Sequence, residues 1–148
     1  MKKTVVNLRN ARKGEYRKVI EEILARGKCP FCPENFKYHK KPILRSQGQW
    51  FLTENSWPYT NTRCHLILIC KTHKERFSEL TRTDFKNVVN LTNWAIEKYK
   101  ISGGAVFVRF GNTNFTGASV AHLHFQIVVP KPKRNKKGTE RVTVPVGG

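Results

Sequence analysis

Acidic residues are scarce in this sequence. Only 10 Asp and Glu stand against 28 Lys and Arg, which leaves a net charge of +18. A balance so one-sided points to an anionic partner or substrate, with nucleic acid the leading candidate. Long hydrophobic runs are also missing. Nothing approaches the roughly eighteen apolar residues that a membrane span requires, and the 39% hydrophobic content suits a soluble globular chain. The opening "MKKTVVNLRNARKGEYRK" has no apolar leader, so no secretory signal is expected. Four cysteines without an export signal imply a reducing, cytoplasmic setting, with thiols used as ligands or core residues rather than as a disulfide scaffold. At 148 residues the chain is long enough to bury one core, and one domain is expected.

The charge is concentrated at the ends. Residues 1–48 hold 13 basic and 4 acidic residues, residues 131–148 hold 6 and 1, and the stretch 49–130 holds 9 and 5. The nearly balanced middle thus has strongly basic flanks. One domain over residues 1–130, with a basic helical extension over 1–27 and a turn-rich loop over 28–42, is expected to carry a basic tail, 131–148. "GEYRKVIEEILAR" places Tyr16, Val19, Ile20, Ile23 and Leu24 on one helical stripe, and Gly27 follows as a stop. "QWFLTE", "CHLILIC" and "GGAVFVRF" read as strands. "LTRTDFKNVVNLTNWAIEKYK" reads as the longest helix, with a Thr81/Asp84 capping box and a buried face of Phe85, Val88, Val89, Thr92, Ala95, Ile96 and Tyr99. The tail lacks helical period and is expected to be mobile until bound, although "RVTVPV" has the composition of an edge strand. Strands outnumber helices without a regular βαβ alternation. The expected class is α+β: a mainly antiparallel sheet of about five strands with two main helices.

The chemistry concentrates in two places. Cys29-Pro-Phe-Cys32 lies in a turn-rich loop, where two thiolates can meet at one point, as a tetrahedral zinc site requires. A redox pair would instead open a helix after a strand. Cys64 and Cys70 sit six residues apart on one strand, roughly 20 Å by strand geometry, so they read as core thiols. His39, His73 and His122 remain as further ligand candidates, and spacing does not choose among them. The second place is "TGASVAHLHFQIVVP". There His122, His124 and Gln126 share one face of a strand while Leu123, Phe125 and Ile127 take the other. Two histidines at this spacing suit a metal, or one ligates while the other attacks phosphorus. The preceding loop "FGNTNFTGASV" has the glycines and small polar side chains that let backbone amides approach an anion.

"GNTNFTGASVAHLHFQIVVP" resembles the signature of the histidine triad superfamily, and "ENSWPYTNTRCHLILICKTHKERFSELT" is similar to that family's strand–turn–strand element, with Cys70 in place of its usual proline. The resemblance spans about residues 28–130. Gln126 replaces the third histidine, as in the superfamily's transferase branch of galactose-1-phosphate uridylyltransferases and dinucleoside polyphosphate phosphorylases. What the resemblance implies is a structural zinc held by Cys29, Cys32, His73 and His122, with His39 displaced from the ligand set. It implies His124 as the nucleophile, forming a nucleotidyl-histidine, with its other ring nitrogen donating to a backbone carbonyl. Gln126 is implied to donate to a phosphate oxygen. Gly117, Ser119 and Val120 are implied at the α-phosphate, Asn112 on the leaving-group side, and Asn55 in a nucleoside pocket near Trp57 and Tyr59. Nucleotidyl transfer or phosphorolysis is the expected activity; hydrolysis, an aprataxin-like action on nucleic-acid-linked nucleotides, or plain nucleotide binding are the alternatives. A homodimer is the expected assembly, with nucleic acid a further expected partner of the basic flanks.

Overall fold

The structure, a computed structural model, describes residues 4–148. One antiparallel sheet runs in the order β1-β2-β3-β5-β4. Its strands are β1 (Ile43–Gln47), β2 (Trp50–Glu54), β3 (Thr62–Cys70), β4 (Ala105–Val108) and β5 (His124–Pro130). The helices are α1 (Glu15–Arg26), α2 (Arg82–Lys98) and the single turn α3 (Thr113–Thr116). The expected α+β class and antiparallel sheet are therefore present.

Alternation along the central strands divides the sheet into two different faces. Trp50, Leu52, Leu66, Leu68, Cys70, Phe125, Ile127 and Val129 face α2 and close a core with Val88, Leu91 and Ala95. Each fully buried leucine here contributes about 1.5–3 kcal/mol. The opposite face carries Phe51, Thr53, His65, Ile67, Ile69, His124 and Gln126. It is covered by α1 and the cysteine loop, whose Phe31 and Phe36 pack on Phe51, Ile67 and Ile69. Val6, Ile20, Ile23 and Val120 form a second cluster at that cover's edge.

The longest helix begins with the expected capping box: Thr81 Oγ1 accepts from Asp84 N–H at 3.1 Å, and the Thr81 N–H donates to Asp84 Oδ2 at 2.8 Å. The same carboxylate accepts from Trp50 Nε1 at 2.9 Å and from Lys74 Nζ at 2.9 Å. These bonds turn the first helical turn toward the sheet, and the buried stripe becomes Asp84, Asn87, Val88, Leu91 and Ala95. The expected buried face is thus rotated: Phe85, Val89 and Ile96 lie at the surface. Leu24 of α1 is exposed as well, whereas Ile20 and Ile23 are buried and Gly27 ends the helix at φ 67°.

"ILRSQ", read as no element in the sequence, is β1; its mostly exposed side chains gave no apolar signal. It joins β2 through a two-residue turn at Gly48 (φ 55°), where a Cβ would collide with the Asn87 amide. The tail does not add an edge strand. Residues 131–140 fold into a small hairpin bridged at Pro132 and Thr139, and the segment beyond it returns to Arg109, whose guanidinium holds the Pro145 carbonyl. The side chains that hold it there, Arg109 and Asn61, are too distant in sequence for any local pattern to indicate.

Burial alone would raise the Asp84 carboxyl, but the bonds from Trp50, Thr81 and Lys74 outweigh it and hold the pKa at about 2, below the ordinary 3.8. A depressed carboxylate stabilises the folded state fully above its unfolded pKa and loses that contribution as pH falls through the folded one. Urea unfolding should therefore show a loss of stability between about pH 4 and pH 2 that is blunted in Asp84→Asn, which should also be less stable than the parent at pH 7.

Candidate active site and metal centre

The loop after α1, the turn after β3 and the approach to β5 converge on one point. Cys29, Cys32, His73 and His122 place their donor atoms within 4.8 Å of one another. Cys29 Sγ lies 3.3 Å from His122 Nδ1, Cys32 Sγ 3.8 Å from the same atom, and Cys32 Sγ 3.5 Å from His73 Nδ1. Zinc bonds of about 2.3 Å to sulfur and 2.0–2.1 Å to nitrogen give a tetrahedron with S···N edges of roughly 3.6 Å. The four donors fit that shape and that chemistry. Their outer partners fit as well. His122 Nε2 donates to the Cys70 carbonyl at 2.6 Å, and His73 Nε2 meets Glu75 Oε1 at 3.0 Å. Each histidine thereby has its Nδ1 turned to the metal position and its Nε2–H engaged. Burial first, then the neighbouring Cys29, pushes the Cys32 thiol up to about 12 without a cation; a bound cation reverses that and ionises it.

His39, the remaining candidate, lies elsewhere. Its Nε2 donates to Thr53 Oγ1 at 2.6 Å, the Ser56 hydroxyl lies 3.3 Å from its Nδ1, and its ring stacks on Phe36. Cys70 is fully buried in the α2 core, and Cys64 packs at its margin.

Two residues beyond the metal ligand, His124 begins β5. Its Nδ1 donates to the His122 carbonyl at 2.7 Å, as expected from the resemblance, which leaves Nε2 free. Burial lowers its pKa to about 4, against the His122 carbonyl bond, and Arg109 and His65 lower it further. The ring is therefore neutral near pH 7. It forms a wall of a pocket shared with Gln126, Asn55, Gly117, Ser119 and Val120, and with the aromatic rings of Tyr16, Trp57 and Tyr59. Gly117 adopts φ 74° between α3 and this wall. Of the nearby amides, that of Ala118 is already bonded to Thr116 Oγ1 at 3.1 Å. Asn112 is not brought to the pocket: its side chain caps α3 by accepting from Asn114 N–H at 2.9 Å.

No family sequence model matches this chain, and no curated protein sequence matches it at significant similarity. Solved structures do. A histidine triad protein from Clostridium difficile is 17% identical, with 74% of this chain and 96% of that one covered at TM-score 0.54. A zinc-bound histidine triad family protein from Mycobacterium smegmatis is 18% identical over 80% of this chain and 84% of that one, at TM-score 0.54. The Plasmodium falciparum diadenosine triphosphate hydrolase is 16% identical over 67% and 64%, at TM-score 0.51. The chain has the histidine triad fold. Among the described residues no helix is long and apolar enough to cross a membrane.

Within that fold, three pocket residues escaped the sequence reading. His65 Nδ1 accepts the Tyr59 N–H at 3.1 Å, so in the neutral ring the proton sits on Nε2, which donates to Gln126 Oε1 at 2.7 Å. Burial, partly offset by the Gln126 bond, lowers the His65 pKa to about 4, and Arg12 and Arg109 lower it further, so the neutral form holds. The Gln126 carbonyl is thus committed to His65, and its NH₂ is left for the pocket. Arg109 follows β4 at the position opposite His124 in the extended register and donates to Tyr59 Oη at 3.0 Å. Tyr16 of α1 bonds the Ser119 hydroxyl. None of the three carries a local motif; only the pairing of β3 and β4 with β5, and the docking of α1, bring them together.

Metal analysis should find about one zinc per chain, lost in Cys29→Ser and in His73→Ala and retained in Cys64→Ser. Because metal binding is folding free energy, the first two variants should melt well below the parent.

Proposed function

We propose that this protein is an enzyme that transfers a nucleotidyl group at its α-phosphate through His124, in the manner of a nucleotidyltransferase or phosphorylase. The observation that carries the reading is the state of His124: a buried neutral imidazole, its Nδ1–H tied to the His122 carbonyl, with Nε2 free on the wall of a pocket lined by aromatic rings and arginine. The Nε2 lone pair attacks the α-phosphorus, an N–P bond forms, and the P–O bond to the leaving group breaks with its electron pair going to that oxygen. A phosphate or sugar-phosphate oxygen then displaces the histidine. Gln126, its carbonyl engaged by His65, donates an amide N–H hydrogen bond to the phosphoryl oxygen where charge develops. Having no transferable proton, it favours leaving groups that depart as anions. Gly117, Ser119 and Val120 cradle the α-phosphate, with Tyr16 fixing the Ser119 hydroxyl. Asn55, Trp57 and Tyr59 hold the nucleoside. Asn112, outside the pocket wall, is assigned to the leaving-group side on the resemblance alone. Cys29, Cys32, His73 and His122 would hold a zinc ion, which would fix the His122 carbonyl and the loop.

A second reading, in which water takes the nucleotidyl group, is favoured by the likeness to the Plasmodium diadenosine triphosphate hydrolase. Both readings pass through the same adduct. Brief mixing with a diadenosine polyphosphate or a UDP-sugar, followed by intact mass spectrometry without acid, should show a gain of one nucleoside monophosphate that is absent in His124→Ala. Absence of the adduct and of turnover with every donor would overturn the proposal. His65→Phe should retain zinc while turnover falls by about 10²-fold, the size of effect seen on losing one preorganised donor.

The assembly is proposed to be a homodimer. Phe85, Val89 and Ile96 present an apolar stripe on the outer side of α2, and Phe77 and Phe110 lie exposed beside it. β4 is an edge strand with Val106 at the surface. Light scattering should report two chains per particle, and Val89→Glu should halve that mass.

A further inference from the structure

The excess of positive charge has a definite place to act. In residues 131–141 six cations, Lys131, Lys133, Arg134, Lys136, Lys137 and Arg141, stand with one acid, Glu140. Residues 131–139 are all exposed, and none of the six cations is in an ion pair among the described residues. This segment is not a loose tail. Lys133 N–H donates to the Gly138 carbonyl at 3.0 Å and Glu140 N–H to the Lys131 carbonyl at 2.9 Å, which closes a hairpin. Asn135 (φ 57°) and Gly138 (φ 92°) make its turn. Four cations are thereby gathered at one tip.

The hairpin is fastened to the pocket. Lys131 N–H donates to the Asn61 carbonyl at 2.9 Å, and Asn61 Nδ2 donates to the Arg141 carbonyl at 3.1 Å. Asn61 stands two residues from Tyr59, whose ring stacks on His65 with centroids 4.6 Å apart. From Arg141 the chain continues to Pro145, which lines the pocket and is held by Arg109. Basic groups then continue around the mouth: the Arg12 guanidinium lies 5.2 Å from the Tyr16 and Tyr59 rings, and the Lys40 ammonium 4.8 Å from the Trp57 ring.

A pocket rimmed by aromatic rings and cations beside a cationic hairpin matches one ligand class. Bases stack on aromatic side chains while a positive surface follows the phosphates. The hairpin's residues 132–139, Pro-Lys-Arg-Asn-Lys-Lys-Gly-Thr, include no aromatic or large aliphatic side chain, so it lacks the apolar face that membrane-surface binding uses. We infer that hairpin 131–141 binds the phosphate backbone of a single-stranded nucleic acid whose terminal nucleotide occupies the His124 pocket. The inference rests on the nucleotide reading of that pocket and adds its substrate class.

The test is salt-titrated fluorescence anisotropy with a labelled single-stranded DNA of about 12 nucleotides. The parent should bind with log affinity falling linearly with log salt. The quadruple variant Lys133→Ala, Arg134→Ala, Lys136→Ala, Lys137→Ala should bind about tenfold more weakly at moderate salt, and its slope should be shallower by about 3, at 0.7 per lost phosphate contact. Its zinc content and melting temperature should equal the parent's, because all four side chains are exposed and none is in an ion pair among the described residues. A circular strand of the same sequence, which has no end to insert, should bind more weakly than the linear one. An unchanged slope in the variant overturns the inference, as does equal binding of circular and linear strands. Equal loss of binding to phosphatidylserine vesicles would assign the hairpin to a membrane instead. If the variant still forms the nucleotidyl adduct with free donors while strand binding is unaffected, only this inference fails. If His124→Ala and parent bind strands alike and no donor ever yields an adduct, only the catalytic reading fails.

Discussion

The architecture depends on a knot of four ligands. Cys29 and His122 are separated by 93 positions along the chain, yet their donor atoms are 3.3 Å apart. The loop after α1, the turn after β3 and the approach to β5 each supply part of this cluster, so one ion could tie the cover of the sheet to its centre. His122 extends the constraint to the chemistry. Its Nδ1 faces the metal position, its Nε2 is bonded to the Cys70 carbonyl, and its own carbonyl receives the Nδ1–H of His124. The orientation of one imidazole is therefore transmitted through a backbone carbonyl to the next. A metal held by these four residues would thereby help decide how the neighbouring ring is aimed.

The sheet serves two purposes because its central strands are covered on both sides. Toward α2 it offers a conventional apolar core. Toward α1 it buries His65, His124 and Gln126, each of which costs free energy unless its polar atoms are bonded. The solution is a chain with one consistent direction of donation, from Tyr59 N–H to His65, from His65 to Gln126, and separately from His124 to a carbonyl. Such a chain fixes both tautomers and the amide orientation together. It explains why a strand gives an entire face to groups that a purely structural strand would replace with valine or isoleucine.

Electrostatics follows the same division. Among the described residues the ion pair Lys74–Asp84 is the buried one, and it belongs to the α2 core. In the pocket the guanidinium groups of Arg12 and Arg109 bond carbonyl and hydroxyl oxygens rather than carboxylates. Their charge is positioned without being neutralised. The pocket and the hairpin beside it consequently keep a positive field, and an anion is the natural complement.

Local sequence determined what depends on spacing and on residue chemistry. A C-x-x-C loop, histidines two apart on a β-prone stretch, a glycine-rich approach and a Thr/Asp capping box each state their role within a few residues. The antiparallel α+β class follows from the order of these elements, and the choice of His73 and His122 as the remaining ligands came from the resemblance of whole segments. Tertiary structure alone decided what depends on partners far along the chain. The bond from Trp50 to Asp84 set the rotation of α2 and sent Phe85, Val89 and Ile96 outward. The register of β3 against β5 placed His65 beside Gln126. Asn61 and Arg109 anchored a tail whose own composition reads as unstructured. Periodicity reports that a residue has a buried side or a bonding group; only the packed chain reports which side is buried and which group answers it.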